Sequence, residues 1–530
     1  MSAEQAPSPR EAGGGQGWGA SGASNEPPHP ASPPLRGGEG IGRVLAAALI
    51  LLAIFLLGVE RGLDLPILTR NPALRNAKIA DFDELWHLAS GRVIAETGHV
   101  PDRDPFTFTA GETPWVNTNW LAQVVLWAAY RTGGIQLDWC LGIALWLGAV
   151  ALVHLRAARR ASCLGAISVT LYALVVLRRT SEVRPQGWTF LLLALALYLV
   201  DVLGESRRRA LALGLVLVLA DQMHGGFVFL DVALLLAALG SIIETRSLRS
   251  RRTQLLGVAL AVGVAGFVLH PHHLQALVHP LRYELDAHVR VMAQATPELA
   301  PPDLRGPHGA LVEGPIFLLL LAACASRRIT LADAILVVPF AHLALTTGRG
   351  VHYFAIVAAA PLAAALDVRP VEGRLVNRLV PAALGLALLV TVVGRARSFA
   401  PGTPGDTSDP LLSTHADDAD MAHAIAALPR ARVFNPPEPG GCLLWILYPE
   451  RQVFIDSRGD FHALSGAFEE TRTVMRTDEG WDQILDRRGC DLALVQHGFP
   501  LDTALRARGW KDLHKDATWA LLARPSRKND

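Results

Sequence analysis

The chain has 530 residues, 51% hydrophobic and 18% charged, with 49 Lys and Arg against 48 Asp and Glu. Such a balance excludes a whole-molecule attraction to nucleic acid. So little charge at this length is unusual for a soluble protein, and the five cysteines show neither CxxC nor zinc spacing.

Residues 1–40 are rich in Gly, Pro, Ser and Ala and carry almost no large apolar side chains. They cannot bury enough surface to fold, so a disordered cytoplasmic tail is expected. The first apolar run, 43–59, has no clean small-residue cleavage site behind it and reads as a retained helix. A bilayer core of about 30 Å takes roughly 20 apolar residues per helix. Further candidate spans are 136–155, 162–178, 186–204, 209–222, 226–243, 254–270, 309–325, 330–347, 351–367 and 379–396. The fold class expected is mainly α: a polytopic membrane protein with about eleven transmembrane helices over 41–396. The span at 209–222 is the weakest.

Arginines occupy alternate gaps between these runs: Arg156/Arg159/Arg160, Arg207/Arg208/Arg209, Arg246/Arg249/Arg251/Arg252, Arg327/Arg328 and Arg369/Arg374/Arg378. Cytoplasmic loops retain Lys and Arg, so these gaps face the cytoplasm with the N-terminus, and the chain after 397 lies outside. The intervening gaps hold most of the His and many acidic residues, and function is sought there.

The long first outer loop, 60–135, contains Asp81-Phe82-Asp83-Glu84, then His87, then Asp102 and Asp104 in a Pro-rich turn. Two readings apply to Asp81 and Asp83. They fit a helix cap and first turn, where unsatisfied N–H groups favour carboxylates. They also fit a general base or metal ligand at the membrane surface. His87 lies one turn after Asp83 on the same face, so the two can share a substrate proton or an ion. Turn capping and a substrate role account for Asp102 and Asp104 about equally. Trp120 to Tyr130 forms an amphipathic stretch suited to the interface.

Later outer loops supply cations. Arg178, Arg179 and Arg184 surround Glu182 and break the positive-inside pattern. Glu182 can neutralise only one of them, and a phosphate or carboxylate is the natural partner for the rest. Arg349 and His352 open one span, and His224 precedes Gly225-Gly226 at another. His270, His272, His273 and His279 form a tract for which interfacial hydrogen bonding competes with metal binding. Asp221 and Asp231 lie in or near the membrane, where ionisable groups usually face a polar cavity.

A linker of Pro, Gly, Ser and Asp at 397–411 leads to a soluble pattern over 412–530. Strands are predicted at Arg432–Asn435, Gln452–Asp456, Asp491–Val495 and Trp519–Arg524. Interleaved helices at about 416–428, 441–447, 465–476, 479–488 and 501–508 imply a small extracytoplasmic α/β domain with a mainly parallel sheet. Asp456 and Arg458 sit at a strand end and suggest mutual pairing or a site. Cys442 and Cys490 suggest either a pair or two buried thiols.

The first helix, the long outer loop opening with Asp81-Phe82-Asp83-Glu84, the interfacial helix and the many later spans together resemble the GT-C class of polytopic glycosyltransferases. Within it, the resemblance is to the bacterial mannosyltransferase-like and lipopolysaccharide-sugar-transferase-like branches. Val183-Arg184-Pro185-Gln186, His224-Gly225-Gly226-Phe227 and Arg349-Gly350 resemble outer-loop signatures of such proteins. The resemblance covers 43–396. It implies a polyprenyl-phosphate-linked sugar as donor, with Asp83 as the base on the acceptor and Asp81 as its neighbour or a ligand to a divalent cation. It also implies a cationic pocket for the lipid phosphate, drawn from Arg178, Arg179, Arg184, His224, Arg349 and His352. The protein expected is a glycosyltransferase of the bacterial inner membrane acting on an extracytoplasmic glycan, lipid or protein. The rival readings are a transporter or flippase for a lipid-linked or anionic solute, and a non-catalytic envelope assembly protein. Transporters often show inverted repeats, and the long outer loop occurs once.

Overall fold

In the computed structural model, residues 83–177, 183–305, 309–326, 329–367, 412 and 415–525 are described. The first and last expected spans (43–59 and 379–396), the N-terminal tail and the linker (397–411) lie outside them.

The described helical part begins with α1 (Glu84–Thr97) and a loop to α2 (Trp120–Ala158). It continues through α3 (Cys163–Leu177), α4 (Gln186–Asp201), α5 (Arg207–Met223), α6 (Phe227–Thr245) and α7 (Arg251–Gly266). Short pieces follow: α8 (Leu274–Val278), a 3-10 turn (His279–Leu281), α9 (Arg282–Leu285) and α10 (Ala287–Ala295). Next come α11 (Ala310–Ser326), α12 (Leu331–Thr346), α13 (Gly350–Val357) and α14 (Ala359–Leu366). Each expected span inside the described residues is helical, including the weak one at 209–222. The span 351–367 is broken at Ala358 into α13 and α14. By length and composition, α2 and α6 are long and apolar enough to cross a membrane, while α3, α4, α11 and α12 are apolar but shorter.

Local signals explain the helix starts. Ser206 accepts the Arg209 amide at the head of α5, and Ser250 accepts that of Thr253 at the head of α7. Thr330 and Asp333 form a reciprocal capping box on α12. Helix α2 kinks at Gly133-Gly134, where Gly134 takes a φ of +65°, a conformation open to glycine at little steric cost. The kink separates the Trp120 stretch from the long apolar run.

The bundle has two distinct ends. At one, Arg156 donates to Asp201 (2.9 Å) and to the Ile356 carbonyl (2.7 Å). Arg160 grips Asp333 with both nitrogens, Arg252 reaches the Val200 carbonyl, and the Ser162 amide bonds Asp367. At the other end, Trp120 donates to Gln222, Gln222 to the Gly266 carbonyl, and Thr189 meets His224. Among the described residues, Arg156, Arg160 and Arg252 thus gather at one end and His224 at the other. Leu215, Leu235, Val258, Phe317 and Val338 point outward between them, the apolar exposure that a bilayer accommodates.

The C-terminal part runs α15 (Ala416–Ala427), β1 (Arg432–Phe434), α16 (Pro437–Leu447), α17 (Gly459–Ser465), α18 (Ala467–Arg476) and α19 (Trp481–Arg488). It ends with β2 (Cys490–Gln496), α20 (Pro500–Ala507), β3 (Lys511–Lys515) and β4 (Trp519–Ala523). The sheet order is β1-β2-β4-β3. Only β1 and β2 are parallel, with Val433 opposite Leu492; β2/β4 and β3/β4 are antiparallel. This corrects the mainly parallel sheet. The short turn between β3 and β4 makes a hairpin, and β3, polar at every position but Leu513, escaped the apolar pattern. Cys442 and Cys490 are buried free thiols.

The expected strand at Gln452–Asp456 does not join this sheet. Val453 pairs instead with the outer loop: the Phe108 amide donates to the Val453 carbonyl (3.1 Å), and the Val453 amide to the Phe106 carbonyl (2.9 Å). The two regions also share one apolar core, in which Trp86, Ala89, Phe106 and Trp115 pack with Met421, Ile425, Leu444 and Phe461.

Candidate active site

Asp83 stands immediately before α1, and its side chain does not cap the helix. Its Oδ1 accepts from the Trp86 indole (3.1 Å) and from the Ser457 hydroxyl (2.6 Å), while Oδ2 lies 3.1 Å from Arg184 Nη1. Burial pushes this carboxyl up. The Arg184 guanidinium, with the Ser457 and Trp86 hydrogen bonds, more than offsets it and holds the group below the usual carboxylate range. Asp83 is therefore ionised at neutral pH.

Arg184 leads from there to a second cation. Its Nη1 is 3.7 Å from Glu298 Oε2, and the other Glu298 oxygen accepts from Arg349 Nη2. Glu298 is fixed by its backbone as well, since its carbonyl accepts the Arg349 amide and the Ala300 carbonyl accepts that of Gly348. Burial acts to lower the Arg349 pKa, but Glu298 outweighs it, so the guanidinium is held firmly charged. Two arginines from distant parts of the chain thus meet on one half-exposed carboxylate beside Asp83.

His87 and His224 are neutral here. His87 is buried and its Nδ1 accepts from Gln123 Nε2 (3.2 Å), while Gln123 in turn accepts from Asn117. Burial pushes its pKa down to about 3, against the pull of Asp83. At neutral pH it carries no positive charge. His224 Nδ1 accepts from the Gly226 amide (2.9 Å) and from Thr189 (2.8 Å), and burial with Arg349 nearby takes its pKa to about 3. His352 Nδ1 lies 3.2 Å from the Arg349 carbonyl, its ring near Phe190.

Asp102 and Asp104 part company. Asp102 is almost fully exposed, 3.8 Å from His272. Asp104 is completely buried: it accepts from the Phe106 and Thr107 amides and from Arg458 Nη2 (2.8 Å). Arg458 also holds Asp456 through Nε (2.8 Å), and His462 Nε2 meets the same Asp456 oxygen at 3.0 Å. The Arg458 guanidinium lies over Trp115 (4.7 Å), Phe461 (5.0 Å), Phe106 (5.4 Å) and Trp86 (5.9 Å). The mutual pairing of Asp456 and Arg458 is present, and Asp104 belongs to it.

Of the residues singled out in the sequence, Asp83, Arg184 and Arg349 come together, with His87, His224 and His352 around them. Asp81, Arg178 and Arg179 lie outside the described residues. Among the described residues, no three His, Cys, Asp or Glu side chains gather as a metal site. Sequence reasoning missed Glu298, Ser457 and Trp86. Glu298 carried no motif, and Ser457 sits 374 residues from Asp83.

The fold is that of the GT-C glycosyltransferases. It is similar to the oligosaccharyltransferase AglB of Archaeoglobus fulgidus in complex with an inhibitory peptide and a dolichol-phosphate. The TM-score is 0.53 and the identity 12%, over 86% of this chain and 69% of that one. It is also similar to ArnT of Cupriavidus metallidurans in the apo state, with a TM-score of 0.50 and 14% identity over 92% of this chain and 98% of that one. No family model matches the sequence, and no curated protein matches it.

Proposed function

We propose that this protein is an inverting membrane glycosyltransferase that moves a sugar from a polyprenyl-phosphate carrier to an extracytoplasmic acceptor. The observation that carries the reading is Asp83 paired with Arg184, which meets Arg349 on Glu298, at the His-rich end of a GT-C fold. The dolichol-phosphate bound by AglB supports a lipid phosphate as the ligand class.

In this reading Asp83 takes the proton from the acceptor hydroxyl. The freed oxygen attacks the anomeric carbon, and the bond from that carbon to the phosphate oxygen breaks. The electron pair leaves with polyprenyl phosphate, whose added charge falls to Arg184 and Arg349. Guanidinium forks suit a phosphate because they pair bidentately and stay charged. A phosphate that draws Arg184 from Asp83 also removes the charge that depresses its basicity. His224 and His352 border this pocket, and Asp81, Arg178 and Arg179 are proposed to extend it. The neutral His87 fits a positioning role through Gln123 better than a proton store. The chain would lie in the bacterial inner membrane with its Arg-rich end cytoplasmic and the C-terminal domain outside, in about eleven crossings.

The full-length protein in proteoliposomes is to be given labelled undecaprenyl-phosphate sugars and membranes from a strain lacking the gene. Wild type should release undecaprenyl phosphate as label moves to acceptor. Asp83→Asn should fold and lose at least about a hundredfold in rate, as expected for removal of a general base. Full activity in Asp83→Asn sinks the assignment of the base. Movement of intact lipid across the bilayer without transfer favours a flippase instead.

A further inference from the structure

We propose that Ser457 is a positioning residue for Asp83, delivered by the C-terminal domain, so that this domain completes the active site. The inference rests on the reading of Asp83 as base. It starts from geometry: Ser457 Oγ donates to Asp83 Oδ1 at 2.6 Å, closer than the Trp86 indole at 3.1 Å. With the Trp86 indole on the same atom, Oδ1 carries two donors. Two donors on one oxygen fix the carboxylate plane and leave Oδ2 as the oxygen beside Arg184.

The flanking residues are built to hold this serine still. The Arg458 amide donates to Asp456 Oδ1 at 3.0 Å, closing a tight turn around Ser457. Asp456 and Arg458 are buried, while Ser457 between them is only half-buried. Arg458 anchors the turn from both sides, to Asp456 within the domain and to Asp104 in the outer loop. Its aromatic surround includes Trp86, the other donor to Asp83. This buried network is compensated by pairing, the Arg458 guanidinium lying against the carboxylates of Asp456 and Asp104. Here it rigidly joins the outer loop, α1 and the 452–458 segment around one carboxylate. The hydroxyl has no proton to give up in the reaction. It acts by orienting Asp83 and by stabilising its charged form.

The test uses the full-length protein, comparing Ser457→Ala and Ser457→Thr with wild type and with Asp83→Asn. In Ser457→Ala, kcat should fall about tenfold or more, the scale of one hydrogen bond to a charged group. The KM for the undecaprenyl-phosphate sugar should stay unchanged, because the Ser457 hydroxyl donates to the base while the phosphate falls to the arginines. The acid limb of the rate profile should move to higher pH, since a donor that favours the carboxylate is gone. Ser457→Thr, which keeps the hydroxyl, should recover most of the rate. A second readout needs no donor: infrared titration of the Asp83 carboxylate, isolated by subtracting Asp83→Asn spectra, should show a raised midpoint in Ser457→Ala only. Wild-type kcat with an unmoved midpoint in Ser457→Ala overturns the proposal. So does Ser457→Thr as slow as Ser457→Ala at an unchanged thermal midpoint. Full activity in Asp83→Asn is a separate result, which removes the base and leaves the hydrogen bond a structural one.

Discussion

A buried imidazole beside a carboxylate invites the reading of a charge relay, and His87 shows why depth matters more than proximity. Asp83 pulls its pKa up, but desolvation wins and leaves it at about 3. The consequence for stability has a definite sign. An unfolded histidine takes up its proton near pH 6.5, whereas the folded one resists until about pH 3. The unfolded state therefore binds more protons in that window, and stability is full above about pH 6.5 and falls as the pH drops. His224 adds to the same slope. His87→Gln keeps an acceptor for Gln123 and removes one titration, so its thermal midpoint should fall less than that of wild type between pH 7 and pH 5. Parallel melting curves in detergent check this; equal slopes reject the assignment. Residue types were legible in the sequence here, and charge states were not. Nothing in the spacing of Asp83 and His87 records that Gln123 and Asn117 take the imidazole away.

At the level of elements, helices were read well because each span is an apolar run, a local property, and α5, α7 and α12 carry their own side-chain caps. The strand at 452–456 was misread because its partner is not a strand of its own sheet but residues 106–108 of the outer loop. Periodicity shows that a segment is buried, not what buries it. The hairpin strand β3 was missed for the opposite reason, being mostly exposed. A close helix contact supplies the element-scale prediction. Gly91 lets α1 lie directly on α2, and a Cβ there would meet the Gln123 carbonyl oxygen at 2.1 Å. Gly91→Ala must push the helices apart, at about 1–3 kcal/mol for overpacking. Because Gln123 is the partner of His87, activity should fall along with the thermal midpoint. An unchanged midpoint counts against this packing.

For the whole molecule, the alternation of arginine clusters anticipated that the polar residues share one end, and the contacts agree. Arg156, Arg160 and Arg252 are tied together at one end, Asp83, Arg184, Glu298 and Arg349 at the other. The positive-inside rule carries the proposal that the Asp83 end faces outward. It is testable by single-cysteine labelling in a cysteine-free background. A membrane-impermeant reagent should reach Asp478→Cys in intact cells and reach Ser247→Cys only after lysis. The reverse pattern inverts the topology and places the proposed site in the cytoplasm. The meeting of Arg184 with Arg349 through Glu298 was not legible beforehand. It depends on how a loop between α10 and α11 folds back on the start of α13, which no local pattern encodes.

The apolar core that α1 and its loop share with the C-terminal domain bears on the order of events during synthesis. Trp86, Phe106 and Trp115 emerge early, while Met421, Leu444 and Phe461, which cover them, are made more than 300 residues later. At ribosomal rates of about 5–20 residues per second, that interval lasts some tens of seconds. For that time the nascent protein carries an uncovered aromatic surface and an Asp83 without Ser457. The proposed site is thus the last part to be completed, and a chain interrupted anywhere in the helical region leaves this aromatic surface uncovered.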